Sequence, residues 1–227
     1  MTEQDLIETC PRLWHMAEAG SWDAIRTNGL LSTRALLDLY GVAGETRDAI
    51  LSRRRPHAVT LRRAGLPDAV VRDQKPMSDA GLRACLDDGL TPAGWYEILN
   101  EKVFFWPSRT RLRRLLTARA YRATPHTVLT LRTASLVAAH RDRILLSPIN
   151  SGATIMRPPR RGHATFRTVA DFPIEERRRR AADAVAEVVV RGGVPDVADH
   201  VLAVHRCHGG EAEPLWRAPE AGPDDGP

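Results

Sequence analysis

The alternation of apolar and polar residues over the first forty positions predicts a short helix, a strand and two further helices. Residues 12–16 are a mostly apolar run that predicts a strand. Ser21 is a suitable N-cap for the next helix, because apolar residues follow it at helical spacing, and Gly29 is a suitable stop. Residues 30–32 lead into a second helix that Gly41 closes.

The middle of the chain is dominated by helical patterns with short β-prone segments between them. Residues 44–66 are rich in arginine and predict a helix followed by a loop, because Pro56 and Pro67 interrupt regular structure. The other elements expected here are a strand at 69–72, helices at 79–87 and 91–100, a strand at 102–106 and an arginine-rich amphipathic helix at 110–121.

The second half of the chain contains more β-prone runs. Strands are expected at 127–131, 144–146 and 185–190, and helices at 134–140, 175–184 and 196–205. The loop expected at 150–163 is long, which favours a functional role over a passive connection. Because strands and helices do not alternate regularly, the pattern predicts an α+β fold rather than a doubly wound sheet.

The length of 227 residues allows one sizeable core and does not require a second domain. We therefore expect residues 1–207 to form a single domain. Residues 208–227 are rich in Gly, Pro and acidic side chains and poor in apolar ones, so they are expected to be a disordered tail.

The apolar runs and the cysteines predict a cytoplasmic protein that does not enter a membrane. The longest apolar run, near 184–190, is far too short to cross a bilayer, and the acidic N-terminus lacks the pattern of a secretion signal. Cys10, Cys85 and Cys207 are widely spaced and form no CxxC pair, which argues against a disulfide framework and a zinc site.

The charge of the chain adds one functional indication. The net charge is +5, and apart from two lysines every basic side chain is an arginine. One interpretation is a GC-rich coding genome. The other is a polyanionic partner such as nucleic acid, because guanidinium groups pair with phosphates and stack on bases.

Several common catalytic motifs are absent from the sequence. There is no GxGxxG after a strand, no GxxxxGK[ST], no HExxH and no GxSxG, and the histidines lack metal-ligand spacing. No metal is therefore expected, and any NAD site differs from a Rossmann crevice.

Two residues remain as candidates for chemistry. Glu187 lies in a valine-rich run, where a buried carboxylate is costly unless it has a partner or faces a cleft. It is either a strand residue that pairs with an arginine or a catalytic group. His15, near the end of the first predicted strand, is either structural or ligand-binding.

The surroundings of these two residues resemble a known family. His15 precedes the pattern I-x-x-x-G-L-L-S, and Glu187 lies in A-E-V-V-V-x-x-x-V-P near the other end of the chain. This order resembles the DarT-type nucleic-acid ADP-ribosyltransferases and, more broadly, the superfamily that includes RNA 2′-phosphotransferases. The resemblance spans residues 12 to 205 and is concentrated in blocks at 13–32 and 181–201.

The resemblance implies a small split β-sandwich flanked by helices, which binds NAD⁺ as co-substrate in the cleft between the sheets. Glu187 would be the catalytic carboxylate, and His15 would hydrogen-bond a ribose hydroxyl. The backbone at Met16 would hold the carboxamide. Arg54 would contact the pyrophosphate or assist catalysis, with Arg53 and Arg55 as close rivals.

Four further positions complete the candidate site. Phe105 or Trp106 would stack on the nicotinamide, although packing in the core is the alternative, and Arg72 is another polar candidate. Ala17 stands where the family often has Thr or Ser, so one ribose contact is expected to be replaced.

The implied activity is transfer of ADP-ribose to a nucleic-acid base, with DNA favoured, and release of nicotinamide. A toxin role with an antitoxin partner is part of what the resemblance implies. The alternatives are a protein, a small molecule or an RNA 2′-phosphate as acceptor, or a nucleic-acid-binding protein of the same fold without activity.

Overall fold

Helices and antiparallel strands make up the structure, a computed structural model that describes residues 1–87, 89–155, 157–173 and 184–227. The α-helices in these residues are α1 (Glu3–Thr9), α2 (Trp22–Asn28), α3 (Thr33–Tyr40), α4 (Gly44–Ser52), α5 (Asp79–Cys85), α6 (Pro92–Asn100), α7 (Arg109–Leu116) and α8 (Thr133–His140). The strands are β1 (Arg12–Glu18), β2 (Leu30–Leu31), β3 (Val59–Leu61), β4 (Ala69–Val71), β5 (Lys102–Phe105), β6 (His126–Arg132), β7 (Ile144–Ser147), β8 (Arg167–Thr168), β9 (Glu187–Arg191), β10 (Gly193–Val194), β11 (Val201–His208) and β12 (Glu211–Arg217).

Two four-stranded sheets carry most of the strand residues. The first has the order β1-β6-β11-β12 and the second the order β5-β9-β7-β8. Two small pairs, β2 with β10 and β3 with β4, are separate from them. Every pairing between these strands is antiparallel, so the predicted mixture of helices and strands without βαβ units is confirmed.

The main hydrophobic core takes side chains from both large sheets. Leu13 and Leu129 contribute from the first sheet, and Val103, Phe105 and Val188 contribute from the second. Each such side chain stabilises the fold by about 1.5–3 kcal/mol relative to its exposed state. The α6 helix packs on the second sheet through a smaller cluster around Trp95, and α7 packs on the first sheet through another.

The two large sheets touch at the edges formed by β1 and β5. Trp14 N donates to Trp106 O at 3.0 Å, and Trp106 N donates to Trp14 O at 2.8 Å. This single bridge is the only β-pairing between the two sheets among the described residues. The edges are otherwise unpaired with each other, which leaves room for a cleft beside the bridge.

Side-chain caps explain where several helices begin. The hydroxyl oxygens of Ser32, Ser78, Thr91 and Ser108 each accept a hydrogen bond from the first turn of the helix that follows. Thr2 and Asp5 form a reciprocal capping box on α1. Such caps contribute about 1 kcal/mol each. Ser21, which the sequence predicts as the cap of α2, lies at the N-cap position, but its hydroxyl donates to Glu18 O at 2.7 Å and does not cap the helix.

The prediction of a helix at 196–205 is wrong. A short 3-10 turn at Val197–Asp199 is followed by β11, which lies between β6 and β12. The first five residues of β11 are buried. A strand that is covered on both faces shows an uninterrupted apolar run, which periodicity does not separate from a buried helix.

The prediction of a disordered tail at 208–227 is also wrong. This segment contains β12, which pairs with β11. Beyond it, Asp225 accepts a hydrogen bond from Arg12 Nε at 2.5 Å, and Gly226 O accepts one from Trp14 Nε1 at 3.1 Å. The tail is ordered through backbone pairing and these contacts, which do not need the apolar content on which the prediction relied.

Three smaller differences concern the bounds of elements. The segment 44–66 contains the strand β3, where the sequence predicts only a helix and a loop. The helix predicted at 110–121 ends at Leu116. The helix predicted at 175–184 falls almost wholly on residues 174–183, outside the described residues. No helix in the described part of the chain has the length and apolarity needed to cross a membrane.

Gly29 joins α2 to β2 with φ of 85° and ψ of 165°, a backbone conformation that is essentially restricted to glycine. A Cβ atom there would lie 2.5 Å from Pro195 Cα, a backbone atom that cannot rotate away. We expect Gly29→Ala to lower the free energy of unfolding by at least about 2 kcal/mol, measured by urea denaturation.

Gly20→Ala is the matched control for this prediction. Gly20 has φ of 79°, and no described atom lies within 4 Å of the position its Cβ would take. This variant should cost only about 1 kcal/mol, the cost of a left-handed alanine. Equal losses in the two variants would show that contact with Pro195 is not what requires glycine at position 29.

Candidate functional site

A cleft of about 320 Å³ lies beside the bridge between the two sheets. Its walls come from β1, β5, β9, the end of α2 and the segment that follows β4. Among its lining residues are His15, Met16, Ala17, Arg55, Arg72, Phe104, Trp106, Asn150 and Glu187. The fold therefore brings His15 and Glu187, which are 172 positions apart in the sequence, to one cavity.

Glu187 is the first residue of β9 and is only 3% exposed. Its Oε1 accepts a hydrogen bond from the backbone N–H of Ser151 at 3.1 Å. Its Oε2 is buried and makes no hydrogen bond with any described residue. Burial raises the pKa of Glu187 to about 7, against the opposing effects of Ser151, Arg161 and Arg111. A carboxyl group with this pKa exchanges a proton near neutral pH.

Arg161 lies buried near Glu187, a position that the sequence does not predict. Its guanidinium is buried, lies over the Trp95 ring at 5.9 Å and donates through Nη1 to Ser151 O at 2.9 Å. Ser151 thus connects Arg161 to Glu187 through its two backbone groups. The sequence pointed to this region only through the length of the loop predicted at 150–163. Because the composition of that loop indicated exposure, the burial of Arg161 could not be predicted.

His15 donates from Nδ1 to the backbone oxygen of Phe104 at 2.9 Å, which fixes the ring between β1 and β5. Burial lowers the pKa of His15 to about 4, and the nearby charge of Arg72 acts in the same direction, while the Phe104 hydrogen bond opposes them. The ring is therefore neutral at physiological pH. With Nδ1 protonated, Nε2 is left as a hydrogen-bond acceptor, as a contact with a hydroxyl group requires.

Arg72 closes one side of the cleft. Its Nη1 donates to Ala17 O at 3.1 Å and lies 3.3 Å from His126 Nδ1, while its guanidinium is 5.3 Å from the centre of the Tyr121 ring. Met16 and Ala17 line the cleft next to it. Arg72 is a cation held in place by protein contacts, although its neighbours already use part of its hydrogen-bonding capacity.

The structure favours Arg55 over Arg54 as the arginine of this site. Arg54 is exposed, does not line the cleft, and donates only to Lys75 O at 3.2 Å. Arg55 is buried, lines the cleft, and donates through Nη2 to Asn100 Oδ1 at 3.0 Å. Burial lowers the pKa of Arg55 to about 10, so it stays charged at neutral pH. The structure therefore places Arg55, and not Arg54, in the lining of the cleft.

Phe105 and Trp106 occupy different environments. Phe105 is 0% exposed and belongs to the main hydrophobic core, so it cannot stack on a ligand without leaving that core. Trp106 is half-buried and lines the cleft, as does Phe104. Successive side chains of a strand point to opposite faces, which explains why Phe104 and Phe105 separate in this way. Phe105 is therefore corrected to a core residue.

One cluster of potential metal ligands occurs away from the cleft. Side-chain ligand atoms of His140, Asp196 and His200 lie within 4.8 Å of one another. Arg143 donates to His140 Nδ1 at 2.5 Å, so Nε2 of that ring carries the proton and donates to Asp196 Oδ1 at 2.7 Å. With His140 Nε2 engaged as a donor, the cluster acts as a hydrogen-bonded connection between α8 and the start of β11.

The fold and the cleft define a mixed α/β protein that has a ligand-sized cavity beside two antiparallel sheets and a buried carboxyl group in its wall. Residues 11–201 match a family of unknown function, DUF7002, and the chain belongs to this family. The matched segment includes both His15 and Glu187. None of the curated proteins compared with the chain matches it.

The pKa of Glu187 predicts a pH-dependent stability. Between its ordinary pKa of 4.5 and the folded value of about 7, the unfolded chain loses this proton before the folded chain does. Stability is therefore lost as pH rises through this range, by about 3 kcal/mol at most. Glu187→Gln removes the titration, so we expect it to be more stable than the wild type at pH 8 in urea denaturation.

The comparison at low pH is the control for this prediction. At pH 4.5 the wild-type side chain is protonated in the fold, and the two proteins should have similar free energies of unfolding. A stability difference that is the same at pH 4.5 and pH 8 would show that titration of Glu187 does not cause it.

Proposed function

We propose that the protein is an NAD⁺-dependent ADP-ribosyltransferase in which Glu187 is the catalytic carboxylate and His15 binds the ribose. The observation that carries the proposal is the meeting of these two residues in one cleft, where the buried Oε2 of Glu187 has no hydrogen-bond partner among the described residues. The two four-stranded sheets joined by one bridge are compatible with the split β-sandwich that the resemblance implies.

The residues of the cleft fit the chemical parts of NAD⁺. The neutral ring of His15 offers an acceptor at Nε2 for a ribose hydroxyl, and the backbone at Met16 lies beside it for the carboxamide. Arg55 and Arg72 supply positive charge for the pyrophosphate. Trp106, rather than Phe105, offers an aromatic surface for the nicotinamide ring.

The reaction requires two changes at one carbon. The bond between ribose C1′ and the nicotinamide nitrogen breaks, and nicotinamide leaves with the bonding electron pair as a neutral molecule. A nitrogen or oxygen of the acceptor forms a bond to C1′ and loses its proton to Glu187 or to water. The ionised carboxylate of Glu187 stabilises the positive charge that develops on the ribose, and its pKa of about 7 lets it accept and release that proton.

The favoured acceptor is a nucleic-acid base, and DNA is favoured over RNA. The net charge of +5, supplied almost wholly by arginine, suits a phosphate-rich partner. The resemblance to DarT-type enzymes supports the same acceptor, together with a toxin role and an antitoxin partner.

The test is incubation of the protein with NAD⁺ labelled in the adenylate part and separate pools of single-stranded DNA, duplex DNA, RNA and protein. We expect label in the single-stranded DNA pool and stoichiometric free nicotinamide. Label confined to the protein pool would make a protein the acceptor. Transfer that consumes an RNA 2′-phosphate would make that phosphate the acceptor. Absence of nicotinamide release with every pool would overturn the proposal and leave a binding protein.

A further inference from the structure

A second cleft of about 670 Å³ adjoins the first, and we call it the arginine cleft. The residues that line it are Lys75, Pro76, Trp106, Arg111, Arg114, Leu115, Ala118, Arg119, Ala120, Tyr121, Asn150 and Ile155. Five of them also line the first cleft: Pro76, Trp106, Leu115, Tyr121 and Asn150. The two cavities therefore share a wall.

The charges of the arginine cleft all have one sign. Its described lining includes four basic side chains and no carboxylate. Arg114 and Arg119 are exposed and form no ion pair with any described residue. Elsewhere on the surface, Arg62 is paired with Asp68 at 3.0 Å and Arg47 with Asp38 at 2.8 Å. Arg114 and Arg119 are thus not neutralised by the surrounding described protein, whereas Lys75 is paired with Asp73 at 3.4 Å.

The α7 helix concentrates this charge. Its sequence, RTRLRRLL, has four arginines and no acidic residue in two turns. Leu112 is fully buried and anchors the helix against the first sheet, through a cluster that includes Trp14 and Val128. Because the apolar face of α7 is used for packing, Arg114 lies on its exposed side and lines the cleft. Arg109 and Arg113 instead donate to the backbone oxygens of Gly226 and Pro227.

The lining of the arginine cleft also contains an aromatic side chain and an exposed apolar side chain. Trp106 is half-buried in the wall that the two clefts share, and Ile155 is 63% exposed at the arginine cleft. An isoleucine this exposed is uncommon among the described residues, where Leu215 is the other large apolar side chain of this kind. A groove that combines cations with such surfaces suits a chain of phosphates and unpaired bases.

We propose that the arginine cleft binds a single-stranded nucleic acid. Its phosphates would contact Arg114, Arg119 and Lys75, and one base would reach the shared wall at Trp106. Unpaired bases are required because a base held in a duplex cannot present its face to a side chain in a cleft. That this base is the acceptor of ADP-ribose rests on the proposed function, whereas the binding of the strand does not.

The test of binding uses fluorescently labelled 20-nucleotide strands without NAD⁺. Anisotropy titrations would compare single-stranded DNA, RNA of the same sequence and duplex DNA over a range of salt concentrations. We expect Arg114→Glu/Arg119→Glu to weaken single-strand binding at least tenfold. The plot of log affinity against log salt should become shallower by about 1.4, because each lost phosphate contact removes about 0.7 from the slope.

The matched control is Arg62→Glu/Arg141→Glu, which changes the net charge by the same amount. Both residues are exposed and lie outside the two clefts, so this variant should bind as the wild type does. Arg114→Gln/Arg119→Gln serves as a milder pair, and thermal melting establishes that each variant is folded. Equal weakening in the cleft and control variants, or wild-type binding in the cleft variants, overturns the proposal.

The comparison of single-stranded DNA with RNA identifies the kind of strand that the cleft binds, because the preferred strand is the one with the higher affinity. Tighter binding of duplex DNA than of both single strands would contradict the proposal. Cleft-dependent binding without any nicotinamide release would uphold this inference and overturn the proposed enzymatic function. Label that becomes attached to bases equally well without Arg114 and Arg119 would uphold the proposed enzymatic function and overturn the arginine cleft as the binding site.

Discussion

Glu187→Gln is expected to lower the rate of ADP-ribosyl transfer at least about 100-fold, because electrostatic stabilisation of a developing charge commonly contributes this much. Glutamine keeps the shape of the side chain and an oxygen that accepts from Ser151. The variant loses the negative charge that would stabilise the ribose cation and the group that would accept the acceptor's proton. Nicotinamide release, followed by chromatography, measures the effect directly.

The affinity for NAD⁺ separates a catalytic role of Glu187 from a binding role. If Glu187 acts on the charge that develops during the reaction, the Kd for NAD⁺ by calorimetry should change by no more than about threefold. A large loss of affinity with an unchanged maximal rate would instead make Glu187 a binding residue.

The pH profile of the wild-type protein gives an independent check. In the proposed reaction the active form of Glu187 is the ionised carboxylate, and its pKa in the fold is about 7. The ratio kcat/KM, which reports the pKa of the protein before substrate binds, should therefore rise as pH increases through about 7. Glu101→Gln is the control, because Glu101 is a half-exposed glutamate that pairs with Arg34 at 3.4 Å outside the cleft. Full activity in the Glu187→Gln protein would refute the proposed role.

Arg55→Ala is expected to lower the free energy of unfolding by about 3 kcal/mol, because several buried acceptors would lose their donor and a cavity would remain. The guanidinium donates to Ile50 O at 2.5 Å, to Arg72 O at 3.2 Å and to Asn100 Oδ1 at 3.0 Å. Asn100 in turn donates to Leu51 O at 2.8 Å. This network ties the end of α4 to α6 and to the segment that lines the cleft.

The neighbouring arginine provides the control for this variant. Arg54→Ala removes an exposed side chain with one hydrogen bond to Lys75 O, and it should change the stability by less than about 0.5 kcal/mol. Urea denaturation at pH 7 compares the two proteins. A greater loss from Arg54→Ala than from Arg55→Ala would contradict the proposed network.

The same pair of variants tests which arginine serves NAD⁺. Arg55 lines the cleft and Arg54 does not, so only the Arg55 variant should bind NAD⁺ more weakly. Because Arg55→Ala is also destabilised, affinity is to be measured at a temperature well below its melting transition. Unchanged affinity in folded Arg55→Ala protein would remove Arg55 from the cofactor site and leave Arg72 as the candidate.

Most of the helices and strands in the first half of the chain could be predicted because their signals are local, although the sequence did not predict β3. Capping residues such as Ser32 and Thr91 satisfy the N–H groups of the next few residues, and this interaction depends on nothing distant. The strand that carries His15 and the valine strand that carries Glu187 are likewise evident from composition. The mixture of helices and strands followed from these elements without knowledge of their packing.

The details of the cleft could not be predicted, since they depend on which side of each element meets the core. Phe104 and Phe105 are equally apolar, and Arg54 and Arg55 are chemically identical. Only the packing of β5 against both β1 and β9 sends Phe105 inward and leaves Phe104 at the cleft. Neighbouring residues of like chemistry carry no sequence signal that says which one is buried.

The sequence by itself determined which residues had chemistry to offer: a histidine near the end of one strand, a carboxylate among valines and a large excess of arginine. Only the tertiary structure decided that His15 and Glu187 share a cavity, that β11 and β12 complete the first sheet, and that Arg161 lies buried near Glu187. The physical reason is that hydrogen bonds and packing between distant segments set burial. Burial in turn sets whether a charged side chain is solvated, paired or left available to a ligand.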